Sequence, residues 1–123
     1  MPDPRHDLGR RAEDAVARWL VGSGWTLLER RWRCPAGELD LVLRDPAGAL
    51  VGVEVKLRSS GRAGSAPESL DHRRVGRLRA ALAAYATSRP SCWAPDLRLD
   101  LVAVTPVPGG RWRLRRVASI DAW

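Results

Sequence analysis

The chain has 123 residues, 45% hydrophobic and 28% charged, with 11 glycines and 9 prolines. That balance fits one folded domain over 1–123 and excludes a disordered or collagen-like polymer, while the absence of a long apolar run predicts no membrane span. Lys plus Arg outnumber Asp plus Glu by 21 to 14, a net charge of +7, which suits polyanionic partners through phosphate contact and counterion release.

The opening residues Met1-Pro2-Asp3-Pro4 carry no apolar core of a secretory signal, so a cytoplasmic protein is expected. Residues 8–21 read as an amphipathic helix, with Leu8, Ala12, Ala15, Val16, Trp19 and Leu20 on one stripe and Asp7 as its N-cap. After Gly22 and Gly24, residues 25–33 read as a strand, closed by a turn at Cys34-Pro35-Ala36-Gly37. Cys34 and Cys92 stand far apart without a Cys or His at zinc-site spacing, so neither metal ligation nor a disulfide is expected of them.

From residue 38 to 44 the pattern alternates, Leu39, Leu41 and Leu43 facing one way and Glu38, Asp40 and Val42 the other. Asp45-Pro46-Ala47-Gly48 is a turn signal, and alternation resumes over 50–56, with Val51, Val53 and Val55 opposite Leu50, Gly52, Glu54 and Lys56. A second helix is expected over 67–87, apolar at Leu70, Leu78, Ala81, Leu82 and Tyr85 and charged at Arg73, Arg74, Arg77 and Arg79. Two further strands follow at 97–104 and 111–117, separated by the breaker-rich stretch 105–110. The segment 59–65, small and polar, reads as a mobile loop.

A three-residue hairpin loop, with Pro46-Ala47 as a type I turn and Gly48 left-handed, pairs Asp45 with Ala49. Antiparallel counting then sets Asp40 opposite Glu54 and Glu38 opposite Lys56, all on one face. Opposed side chains begin about 5 Å apart, and two carboxylates that close repel unless a cation or a proton joins them. Lys56 is the only lysine among 21 basic residues. Arginine serves wherever a generic positive charge suffices, so the one position that stays lysine points to a need for a compact ammonium. A solvated face of an edge hairpin is the plainer interpretation of the same residues.

An Asp, a Glu and a Lys around a hard cation are suited to phosphodiester hydrolysis: carboxylates hold Mg²⁺ or Mn²⁺, and the lysine orients or deprotonates water or offsets charge on phosphate. Glu13 borders the apolar stripe of the first helix, at a spacing that lets it reach the sheet and join the metal ligands, or it remains a capping or surface glutamate. Phosphate contacts are expected from Arg58, Arg62, Arg73, Arg74 and Arg77, which follow the second hairpin strand or line the next helix.

Six stretches together resemble the YraN-like proteins, uncharacterised protein family 0102, candidate endonucleases of the restriction-endonuclease-like PD-(D/E)XK superfamily. They are 9–20 (GRRAEDAVARWL), 37–42 (GELDLV), 53–58 (VEVKLR), the helix 67–78, 98–102 (RLDLV) and 120–123 (IDAW). The resemblance implies an α/β restriction-endonuclease-like fold, a central mixed sheet of four to five strands flanked by helices. It implies Asp40, Glu54 and Lys56 as the catalytic triad, Asp40, Glu54 and Glu13 as metal ligands, and Glu38 as a nearby motif acid. The chain departs from the family pattern with Arg74 where a lysine is frequent, Leu99 where phenylalanine is usual, and Trp123 as the terminal aromatic. The implied function is metal-dependent endonuclease action on nucleic acid, DNA ahead of RNA and structured or branched DNA among the substrates, with homodimerisation open. The alternative is a non-catalytic nucleic-acid-binding module on the same fold. A protein-interaction adaptor is disfavoured because Trp19, Trp25 and Trp32 fit core positions.

Overall fold

The computed structural model describes residues 4–58 and 71–121. Over these the chain forms α1 (Pro4–Gly22), β1 (Thr26–Cys34), β2 (Gly37–Arg44), β3 (Leu50–Leu57), α2 (His72–Ser88), β4 (Leu97–Val107) and β5 (Arg111–Val117). One sheet holds all five strands in the order β1-β2-β3-β4-β5. The first three form an antiparallel meander, β3 and β4 run parallel on either side of the α2 crossover, and β5 folds back on β4. This is the α/β mixed sheet with flanking helices expected of a restriction-endonuclease-like domain. Among the described residues no helix is long and apolar enough to cross a membrane.

Alternation along the strands divides the apolar side chains between two cores. On one face Ala12, Val16 and Leu20 of α1 pack against Leu41, Leu43, Val51, Val53, Val102 and Val104. On the other, Val75, Leu78, Leu82 and Tyr85 of α2 cover Leu39, Val42, Leu50, Leu99 and Leu101. Gly52 lies under α2 where the approach is closest: a Cβ there would stand 3.1 Å from Leu99 Cδ2 and 3.3 Å from Leu39 Cδ2. The β2–β3 turn is the expected one, with Gly48 at φ 99° and the Asp45 N–H donating to the Ala49 carbonyl at 3.0 Å.

Several local expectations change. Helix α1 starts at Pro4, so Asp7 lies inside the first turn and is not the N-cap; proline suits a first helical position because its missing N–H would have no partner there. Trp19 is 38% exposed, because the buried stripe runs through Ala12, Val16, Ala17 and Leu20 and leaves the indole to one side. Asp71 caps α2, its carboxylate accepting the Arg74 N–H at 2.8 Å; the expected helical residues 67–70, the loop 59–65, Arg62 and Trp123 lie outside the described residues. Strand β4 continues through Pro106 to Val107, beyond its last β3 partner at Leu57–Val104, so the missing proline N–H costs no ladder bond there.

Leu39 packs under α2 with Val42, not with Leu41 and Leu43. The cause is on the neighbouring strand, where Arg31 adopts φ 49°, a left-handed conformation unusual for arginine. Arg30 and Arg31 both turn toward α1, reaching Asp14 at 2.5 Å and Glu13 at 2.8 Å. Trp32 then turns to α2 and meets the Tyr85 ring edge-on at 5.3 Å, carrying its partner Leu39 to the same side.

At the opposite end of the sheet the fully buried carboxylate of Asp100 accepts from Arg98 at 2.8 and 3.0 Å, from Arg116 at 2.7 Å and from the Ser119 N–H at 3.0 Å. The Trp25 ring lies beneath both guanidiniums, 5.7 Å from Arg98 and 5.3 Å from Arg116. Arg98 also donates to Asp45 at 2.8 Å. Burial pushes the Asp45 carboxyl up, but Arg98 and the N–H groups of Ala49 and Ala47 outweigh it and hold it below its ordinary value.

Candidate active site

The site begins where the β2–β3 ladder stops. The strands pair from Arg44–Leu50 to Leu41–Val53, a register that brings Asp40 and Glu54 to adjacent positions as the sequence predicts. The next ladder bond is replaced: the Asp40 Oδ2 accepts the Val55 N–H at 2.8 Å. The pairing does not carry on to Glu38 and Lys56, correcting that part of the expectation. Glu38 instead sits opposite Arg33 of β1 and contacts its guanidinium at 3.3 Å.

Glu54 is 5% exposed, and Asp40 lies beside it. Burial, a hydrogen bond to Glu54 and the Glu54 charge push the Asp40 carboxyl up to about 8, against the opposing effect of the Val55 N–H, with the Glu13 charge adding a little. The neighbouring carboxylate and the loss of solvent thus favour the protonated form of Asp40. Arg74 closes the arrangement from α2, its Nε donating to the Glu54 Oε2 at 2.8 Å and its Nη2 to the same oxygen. The guanidinium offsets the Glu54 charge, and the backbone N–H of Val55 orients Asp40, which eases the repulsion of neighbouring anions.

A cleft of about 250 Å³ opens over this pair, lined by Gly37, Glu38, Asp40, Glu54, Arg74, Arg77 and Leu78. Arg74, Arg77 and Leu78 are i, i+3 and i+4 on α2, so they share one side of the helix. Lys56 lies two residues beyond Glu54 on β3, half-buried on the same sheet face but outside that lining. Arg73 is exposed and does not line the cleft, and the Arg58 backbone N–H continues the sheet by donating to Val104 at 2.8 Å.

Glu13 is on the α1 side, held by Arg31. Among the described residues no three His, Cys, Asp or Glu side chains gather closely enough to hold an ion, so Asp40 and Glu54 form a pair that Glu13 influences by its charge. Two carboxylates still suit Mg²⁺, which retains water and takes further oxygens from phosphate. Sequence reasoning missed the partners of these acids, Arg74 on Glu54 and Arg31 on Glu13. The first was legible only as a basic residue beside the apolar stripe of a helix; the second depends on a backbone conformation that arginine does not signal.

The family model described as "Uncharacterised protein family UPF0102" matches residues 12–104, a stretch containing Glu13, Asp40, Glu54, Lys56 and Arg74. Similar chains include a UPF0102 protein of a Nocardioides strain, 47% identical over 79% of this chain and 77% of its own. Another, from Kineococcus radiotolerans, is 38% identical over 93% of both chains, and one from Frankia alni is 43% identical over 89% of this chain and 90% of its own.

Proposed function

The chain belongs to the uncharacterised protein family UPF0102, and on that footing we propose that it is a metal-dependent endonuclease hydrolysing phosphodiester bonds of nucleic acid. One observation carries the reading: a buried Glu54 carboxylate and a half-buried Asp40 carboxyl stand side by side and line a cleft that Arg74 and Arg77 border from α2. A purely structural ion pair needs neither the second carboxyl nor the opening.

Asp40 and Glu54 would hold Mg²⁺ or Mn²⁺, the hard oxygen donors such an ion takes, and the ion would supply Lewis acidity toward a phosphoryl oxygen. The protein's own groups do the rest. Arg77 and Arg74 bind and orient phosphate at the mouth, with Arg74 exchanging its bond to Glu54 for one to the substrate. Lys56 Nζ, on the same strand face as Glu54, offers a compact ammonium that steadies charge on the phosphate or passes a proton to and from water. Asp40 remains oriented throughout by the Val55 N–H.

A second reading has one observation in its favour. Arg74 already neutralises Glu54, so a nucleic-acid-binding module could keep the pair without metal or chemistry. Incubating the protein with duplex, flap, junction and single-stranded DNA and with RNA, in Mg²⁺, Mn²⁺ or chelator, separates the two. The nuclease reading expects cleavage that requires the cation and is lost in Glu54→Gln while binding persists. Binding without cleavage across the panel overturns it in favour of the module.

A further inference from the structure

β5 is an outer strand of the sheet, and its side chains alternate without interruption. Trp112 and Leu114 join the core under α1, and Arg116 reaches Asp100 on that face. Val117 packs with the core under α2. Arg111, Arg113 and Arg115 therefore stand on the α2 face, all exposed, and among the described residues none has a carboxylate partner.

The register ties this row to the site. Lys56 pairs with Ala103 and Ala103 with Arg115, so Arg115 lies two strands across from Lys56, about 10 Å away in the sheet. Arg113 and Arg111 continue outward opposite Thr105 and Val107, each about 7 Å farther along the strand. Glu54, Lys56 and the three arginines thus share one sheet face, with the carboxyl pair at one end. Outer strands do carry charges that prevent edge-to-edge pairing. That need is met by a charge anywhere on the strand; it does not call for three like charges in file on one face, where they repel one another. Phosphates succeeding one another along a single strand do call for such a file, and the guanidinium fork matches their oxygens.

We propose that Arg111, Arg113 and Arg115 form a rail that binds the phosphate backbone of one nucleic-acid strand and leads it to the Asp40–Glu54 cleft. The rail rests on the nucleic-acid reading above and adds to it the path of the substrate. It lies on a different element from the arginines of α2 and from Arg58.

The test measures binding of fluorescent single-stranded and duplex oligonucleotides across a salt series, in a Glu54→Gln background that suppresses turnover. With all three arginines changed to Gln, the slope of log affinity against log salt should shrink by about two for the single strand and by more for the duplex. The triple Lys variant should keep the slope, since the charges remain. Single Arg113→Gln and Arg115→Gln variants, each shrinking the slope by about 0.7 for single strands, serve if the triple Gln variant fails to fold. A folded triple Gln variant with the parental slope overturns the rail while leaving the nuclease reading intact. Loss of binding only to phosphatidylserine vesicles, with oligonucleotide binding unchanged, overturns it too. A parent that binds no nucleic acid overturns both readings. A parent that binds with a rail-dependent slope, but whose wild-type form never cleaves, supports the rail and overturns the nuclease alone.

Discussion

The carboxyl of Asp40 stands in for a strand neighbour of Val55: its Oδ2 accepts that residue's N–H at 2.8 Å where the β2–β3 ladder ends. The bond gives Asp40 a fixed orientation and frees the following strand segments to part, which opens the cleft beside Glu54. A side chain thus both terminates a sheet and furnishes its reactive edge.

Asp40 should make the protein less stable as pH rises. Its folded value of about 8 lies above the ordinary 3.8, so the folded state binds the extra proton between these limits. The contribution is fully present below about pH 4 and is lost as pH rises through about 8. Denaturant unfolding from pH 5 to 9 should show that decline, and Asp40→Asn, which keeps an acceptor for Val55 and a donor for Glu54, should flatten it and melt higher than wild type at pH 8.

Removing Arg74 leaves the buried Glu54 carboxylate without its guanidinium. The arginine is half solvent-exposed, which discounts the cost; Arg74→Gln should lose about 1–2 kcal/mol in urea unfolding. The vacated position favours a cation. Millimolar Mg²⁺ should therefore raise the melting temperature of Arg74→Gln more than that of wild type, with chelator abolishing the difference.

Lys56→Arg keeps the charge and replaces an ammonium that can release a proton with a guanidinium that cannot. Cleavage should fall by about a hundredfold or more with oligonucleotide affinity within twofold of wild type, measured in parallel by single-turnover kinetics and anisotropy. Undiminished cleavage would remove Lys56 from the chemistry.

Gly52→Ala places a methyl against Leu99 and Leu39 in a packed core. A loss of about 1–2 kcal/mol is expected, seen as a lower urea midpoint at unchanged m-value. Leu99→Val should recover part of it in the double variant, because the close atom is a Leu99 methyl.

Much of this fold was legible in the chain because its signals are local. Asp45-Pro46-Ala47-Gly48 determines the turn, the turn determines the register, and the register brings Asp40 to Glu54 with no knowledge of the rest. The reading failed where a distant residue decides. Leu39 changes face because Arg31 on another strand turns left-handed, and Glu38 never meets Lys56 because the Asp40 carboxyl takes the Val55 N–H. Trp19 lost its core place to the smaller Ala12 and Ala17, which allow α1 to approach the sheet. Nor does spacing reveal the grip of Arg74 on Glu54, since that requires the crossover helix itself to land over the end of a hairpin.

The parallel junction between β3 and β4 imposes an order on how the molecule assembles. Asp40 and Glu54 belong to neighbouring strands of a meander joined by a three-residue loop, so they come together through short-range chain closure. Arg74 arrives only with α2, and Leu50 meets Leu97 only after the chain has closed a much longer loop, a slower event by its entropy. Until then the two acids face each other without their guanidinium. Refolding should consequently be faster at mildly acidic pH, where protonation quiets that early repulsion, than at pH 9, where the meander must form against it.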